Sequence, residues 1–157
     1  MGGIFIKFCT TEVTTKTIIA GSRTITSYEI VQKAILLAHG AGVEITEVVS
    51  GKARGIDTLG EEWAKANNVP VAEFPVKPAD WKRYGKRAGY LRNQQMGKYA
   101  EALIAIWDGK SRGTGHMIDI ADNLGLFVKV FAVDETTKEL KEMPSSGSQL
   151  HSSRPGM

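Results

Sequence analysis

Five short apolar runs punctuate the chain, four of them with glycine, proline or serine at one end or both. Thr17–Ala20 (TIIA), Ile45–Val49 (ITEVV), Val71–Phe74 (VAEF), Ala102–Trp107 (ALIAIW) and Leu126–Val133 (LFVKVFAV) read as strands. Between them the apolar period changes from two to between three and four. Ile30, Ala34, Leu37 and Ala38 give a first helix its buried face; a Thr26-x-x-Glu29 capping-box spacing starts it, and Gly40 with Gly42 ends it. Leu59, Trp63 and Ala66 line one side of a second helix from about Ile56 to Ala66. Further helices run from about Leu91 to Tyr99 and from about Thr114 to Asn123, the last closed by Gly125. Trp63 and Trp107 read as core. The basic connection KPADWKRYGKRAGY, residues 77–90, reads as irregular.

Strands that alternate with helices require parallel, right-handed crossovers, so the fold class is α/β. We expect a doubly wound sheet of about five mainly parallel strands, helices on both faces and strand order 3-2-1-4-5. ALIAIW, apolar throughout, is the central strand covered on both sides. Residues 1–15 form an N-terminal extension in which Ile4, Ile6 and Phe8 alternate like an added edge strand. Residues 16–134 form the folded domain. Residues 135–157 form a C-terminal tail, rich in Ser and Gly and expected to be disordered from about residue 144.

Composition narrows the function classes. The 157 residues suit one domain, and 42% hydrophobic with 24% charged residues is ordinary for a globular protein. No apolar run reaches membrane-spanning length, and no secretory leader is legible, so a cytoplasmic location without membrane contact is expected. Cys9 is the sole cysteine, and His39, His116 and His151 are scattered, so neither a disulfide nor a metal site is expected, and no cofactor is. A net charge of +3 permits an anionic partner.

The candidate chemistry lies in the loops after the strands. Gly21, Ser22 and Arg23 follow the first. Ser50, Gly51, Lys52, Ala53, Arg54, Gly55 and Asp57 join the second strand to its helix, a strand–tight loop–helix geometry suited to anions. Asp108, Gly109, Ser111, Arg112, Gly113 and Thr114 form the loop after ALIAIW, with His116 on the next helix. In the expected strand order these loops converge at the switch point, where doubly wound sheets bind ligands. Arg92 and Asn93 start the fourth crossover element. Asp57 reads equally as a simple helix cap. A phosphate-binding P-loop is excluded because Ile104 stands where its first glycine belongs, and a dinucleotide fingerprint fails at Ile118. Lys82, Arg83, Lys86 and Arg87 interleave with Trp81, Tyr84 and Tyr90, a composition that also suits single-stranded nucleic acid.

Together IIAGSRT, VVSGKARGIDTLGEEWA, PADW, LRNQQM and AEALIAIWDGKSRGTGHMIDIA resemble the YspA branch of the SLOG superfamily, the Rossmann-like proteins related to YpsA. The resemblance covers roughly Thr17 to Val133. More distantly, SGKARGID and the Arg92-Asn93 pair resemble segments of the DNA-processing protein A family. RNQQM and SRGT resemble segments of the Lonely Guy phosphoribohydrolases.

The resemblance implies a pocket for nucleotide-derived ligands, with phosphate held by Gly51 to Gly55 and by Ser111 to Thr114. Where the phosphoribohydrolase pattern has its catalytic glutamate, this chain has Met117, which can neither act as a base nor stabilise a cation by charge. The expected function is therefore binding, by sensing or sequestering a phosphorylated nucleoside derivative such as an ADP-ribose-like molecule, in a homo-oligomer. Two alternatives stay open: N-glycosidic hydrolysis of nucleoside monophosphates, and single-stranded nucleic-acid binding.

Overall fold

A computed structural model describes residues 15–134, 136–137 and 139–143. The candidate edge strand at Ile4 to Phe8 and the tail from residue 144 lie outside the described residues. Six strands and five helices follow in order: β1 (Thr15–Gly21), α1 (Tyr28–Gly40), β2 (Ile45–Ser50), α2 (Ile56–Ala66), β3 (Val71–Glu73), α3 (Pro78–Tyr84), α4 (Arg87–Tyr99), β4 (Ala102–Trp107), α5 (Arg112–Leu124), β5 (Phe127–Asp134) and β6 (Glu139–Met143). The sheet order is β3-β2-β1-β4-β5-β6. The first five strands are parallel, and β6 returns antiparallel along β5, with Val130 opposite Met143 and Asp134 opposite Glu139. This is a Rossmann-like α/β fold with the expected switch between β1 and β4.

Alternation along the central strands explains the two-sided core. Ile19 on β1 and Ile104 and Ile106 on β4 point to one face, where Val31, Ala34 and Ile35 of α1 and Ile56 and Leu59 of α2 cover them. Ile18, Leu103 and Ala105 point to the other, against Met96 of α4 and Met117, Ile118 and Ala121 of α5. Leu103, Ile104 and Ile106 are fully buried. Each such side chain stabilises the fold by roughly 1.5–3 kcal/mol relative to its exposed state. Two glycines let helices come close. A Cβ on Gly60 would sit 3.0 Å from Ile19, and one on Gly97 would sit 2.7 Å from Ile120.

Several local readings are corrected. The buried stripe of α1 runs through Ile30, Val31, Ala34, Ile35 and Ala38, while Leu37 is exposed. Periodicity alone does not orient a helix whose Leu36 and Leu37 are both apolar. α1 starts at Tyr28 after Ser27, one residue later than the capping box requires, and no side chain caps it. Ala66 is exposed, and Trp63 and Trp107 are only half-buried at the core margins. The basic connection contains a complete short helix, α3, with Pro78 at its start and Asp80 in its first turn. The sixth strand gave little apolar signal because ELKEM presents mostly polar, exposed positions at the sheet edge. No helix among the described residues is long and apolar enough to cross a membrane.

Candidate functional site

Crossovers leave β1 and β4 in opposite directions, so a cleft opens above their carboxyl ends. The β1 loop is clamped to β4: the Ser22 N–H donates to Ile106 O at 3.1 Å, and Ser22 Oγ accepts from the Asp108 N–H at 3.1 Å. Gly21 is obligatory here, because a Cβ would lie 2.3 Å from Ile106 O and 2.6 Å from Ile56 Cγ1. Held this way, Arg23 lines the cleft from an exposed position.

The loop from Ser50 to Asp57 is braced from beneath. Ser50 Oγ donates to Glu61 Oε2 at 2.5 Å and accepts from the Lys52 N–H at 3.1 Å. Lys52 has φ of +62°, and its ammonium pairs with Glu61 at 2.9 Å and Glu73 at 3.4 Å. Its hydrogen bond and charge pairing with Glu61 raise its pKa, a surface effect. Lys52 therefore anchors the loop and does not line the cleft. Asp57 does not cap α2. Its carboxylate accepts from the Ala53 N–H at 3.3 Å and lines the cleft while nearly fully buried. Burial pushes its pKa up to about 6, against the opposing pull of the Ala53 N–H and of Arg92. Gly51 leaves room for the Arg92 guanidinium, which lies 2.8 Å from where a Cβ would stand, so a side chain there would displace Arg92 from this position. Arg54 is exposed and makes no hydrogen bond or ion pair among the described residues.

Arg92 and Asn93 reach the cleft from α4. Arg92 Nη1 donates to the carbonyls of Gly51 and of Phe74, the latter at 3.3 Å, and Nε donates to Asn93 Oδ1 at 3.0 Å. Burial lowers the Arg92 pKa, Asp57 opposes this, and Arg23 adds to it. The Asn93 amide has one possible orientation. Nε of Arg92 can only donate and the Gly113 carbonyl can only accept, so Oδ1 faces the first and Nδ2 the second, at 3.3 Å. The same Nδ2 lies 3.3 Å from His116 Nδ1. Nδ1 is thus the acceptor, and the neutral His116 ring carries its proton on Nε2. Burial lowers the His116 pKa, with Asp119 opposing, so this neutral form prevails at pH 7.

The third loop folds around Asp108, whose Oδ1 accepts from the N–H groups of Lys110 at 2.8 Å and Ser111 at 2.9 Å. Burial raises the Asp108 carboxyl, but these bonds and the Ser22 contact outweigh it and hold the pKa below the ordinary value. Gly109 supplies a positive φ of +81°. Ser111 caps α5 by accepting from Thr114 N at 3.5 Å, while its carbonyl accepts from Trp107 Nε1 at 2.9 Å. Ser111, Gly113 and Thr114 line the cleft, and Arg112 is exposed and does not line it.

Of the expected site residues, Gly21, Arg23, Ala53, Asp57, Arg92, Asn93, Ser111, Gly113 and Thr114 meet at this cleft. Ser22, Ser50, Gly51, Lys52, Gly55 and Asp108 instead hold its loops in place. Sequence reasoning missed Ala20, Met96 and Met117 as its floor, although Met117 was marked by its motif position. The cavity measures about 70 Å³, far below the roughly 300 Å³ at which whole-ligand pockets begin. One end of a ligand fits inside, and the rest must lie along the rim. Beyond that rim, Trp81, Tyr84 and Tyr90 are each about 40% exposed on α3 and α4.

A mainly parallel sheet with helices on both faces and a cleft at its switch point defines the class of Rossmann-like α/β proteins. Residues 15–84 match the model of the YspA, cpYpsA-related SLOG family, so the resemblance seen in the motifs is shown over that stretch. The Gene 61 protein of Mycobacterium phage D29 is 38% identical over 84 residues, covering 50% of this chain and 66% of that protein. In structure the chain is similar to DNA processing protein A from Streptococcus pneumoniae, with a TM-score of 0.55 and 22% identity. That similarity covers 77% of this chain and 50% of the other, so the chain spans about half the length of that structure.

Proposed function

We propose that this protein binds a phosphorylated, nucleotide-derived ligand, such as an ADP-ribose-like molecule, with a phosphate seated in the cleft. The observation that carries the reading is the meeting of Arg23, Arg92 and the capped N-terminus of α5 above adjacent strands β1 and β4. Guanidinium groups and first-turn amides both favour phosphate oxygen, and partial burial strengthens them by excluding water. The family match over residues 15–84 supports the same ligand class.

Arg23 is the sharpest test, since it lines the cleft and makes no ion pair among the described residues. Arg23→Ala is expected to weaken binding of AMP or ADP-ribose by about 1.5–3 kcal/mol, roughly 10- to 150-fold in Kd. Isothermal calorimetry checks this, and an unchanged affinity would remove Arg23 from the site. A homo-oligomer is part of the proposal, because the small cavity leaves most of such a ligand for a second copy to cover. Native mass spectrometry with and without ligand reads that directly.

One observation favours a second reading, N-glycosidic hydrolysis. Asp57 is a buried carboxyl with a pKa of about 6 in the cleft itself, the property expected of a general acid or base. Incubating the protein with nucleoside monophosphates and looking for free base by chromatography separates the two. Binding without release of base leaves the sensing or sequestering role.

A further inference from the structure

Three features lie outside the cleft: the Lys52–Glu61–Glu73 brace, the exposed Leu36 and Leu37 of α1, and an aromatic pair beside the rim. The first is fully used in holding a loop, and nothing shows what covers the second. The third carries an inference, which rests on the phosphate-ligand reading above. We infer that Tyr90 and His116 form the seat for the aromatic base of that ligand, so that the protein recognises a nucleoside and not merely a sugar phosphate.

The placement follows from helix geometry. α4 and α5 run side by side in the same direction, since Asn93 contacts Gly113 and His116 while Gly97 packs under Ile120 and Leu124. The start of α5 and the middle of α4 therefore meet at the cleft, and the first turn of α4 extends past it. Tyr90 is three residues before Asn93, one helical turn nearer the rim on the same face. Its ring lies against His116 with centroids 4.2 Å apart and planes inclined at 41°.

His116 is itself held by Asn93, whose amide lines the cleft. A continuous path runs from the phosphate seat, through Asn93, to an aromatic surface one turn away. Tyr90 remains 39% exposed, so a large part of its ring is free to be covered.

The chemistry of the pair fits a base better than another ligand part. A flat π-surface stacks with any nucleobase, and this contact tolerates variation in the base. The neutral His116 ring, with its proton on Nε2, adds a single donor for a ring nitrogen or carbonyl oxygen of the base. A ribose offers no flat face, and a second phosphate finds no cation in this pair. The 70 Å³ cavity also leaves the non-phosphate part outside it, and Tyr90 stands next beyond the lining residue Asn93, through His116.

Calorimetry with AMP, ADP-ribose and ribose 5-phosphate tests this on the full chain and on Tyr90→Ala, Tyr90→Leu and Tyr90→Phe. Tyr90→Ala should lose about 5- to 150-fold in affinity for AMP and ADP-ribose, the range for one base–aromatic stack. Ribose 5-phosphate should bind that variant as it binds the original chain, which also reports an intact fold. Tyr90→Phe should keep nucleotide binding, and Tyr90→Leu, which keeps apolar cover on His116, should still lose it.

Wild-type affinity for AMP in both Tyr90→Ala and Tyr90→Leu would overturn the seat and leave the phosphate reading standing. Equal affinity of the original chain for AMP and ribose 5-phosphate would do the same. Failure of the original chain to bind any of the three would remove both.

Discussion

Gly55→Ala is expected to lower stability by about 3–5 kcal/mol, a large share of the roughly 5–15 kcal/mol that holds a domain of this size together. Two costs combine. Gly55 has φ of +77° and ψ of −125°, a conformation that costs a residue with a Cβ on the order of 1–3 kcal/mol. The added Cβ would also lie 2.7 Å from Ser22 O and from the Arg23 Cα and carbonyl oxygen. Those are backbone atoms clamped to β4, so they cannot yield cheaply, and overpacking of this kind typically costs about 1–3 kcal/mol.

Gly109→Ala isolates the first cost, since Gly109 has φ of +81° but nothing within 4 Å of its Cβ position. That variant should lose only about 1–2 kcal/mol. Thermal and urea denaturation of both checks the difference. Equal losses would mean that the loops bearing Arg23 and Asp57 are not held against each other as described.

Asp57 should make stability fall as pH rises from about 4 to about 6. In the unfolded chain its carboxyl ionises near 3.8, whereas in the native chain burial holds it protonated until about pH 6. Between those values the native state binds the extra proton, so folding is favoured at the acid end and the advantage is lost on passing the native pKa. Raising a carboxyl from 3.8 to about 6 on folding is worth about 3 kcal/mol.

Asp57→Asn keeps an acceptor for the Ala53 N–H and removes the ionisation. The stability of the Asn variant relative to the original chain should therefore rise by about 2–2.5 kcal/mol between pH 4 and pH 7 in urea titrations. His116 also titrates in this range, but it is present in both proteins and cancels in the difference. A difference independent of pH would show that folding leaves the Asp57 pKa near 3.8, and one that falls as pH rises would show that Arg92 holds the carboxylate ionised in the native state.

Much of the architecture was legible because it depends on local periodicity. β-branched and apolar runs alternating with 3.6-residue patterns leave few topologies, and the order 3-2-1-4-5 was preferred among the right-handed doubly wound ones, which the sheet bears out. The same logic located the three loops at one rim. It failed where burial does not follow from pattern. α3 carries little apolar surface, so its helix is marked only by Pro78 and Asp80, and β6 is an exposed edge whose pairing with β5 is a long-range event. Leu37 and Val31 exchanged roles because the rotation of α1 about its axis is set by what β1 and β4 present to it.

Sequence alone determined the alternation of elements, the central place of ALIAIW, and the glycine turns at Gly55 and Gly125, because these follow from propensity and sterics within a few residues. Only the tertiary structure decided which cations face the cleft. Arg23 and Arg92 line it, whereas Arg54 and Arg112 are exposed and do not line it, and Lys52 is drawn to Glu61 and Glu73. A side chain's direction in a loop is fixed by contacts between strands distant in the chain. The Ser22–Ile106 clamp and the Arg92–Gly51 bond join segments 84 and 41 residues apart, and no local pattern encodes them.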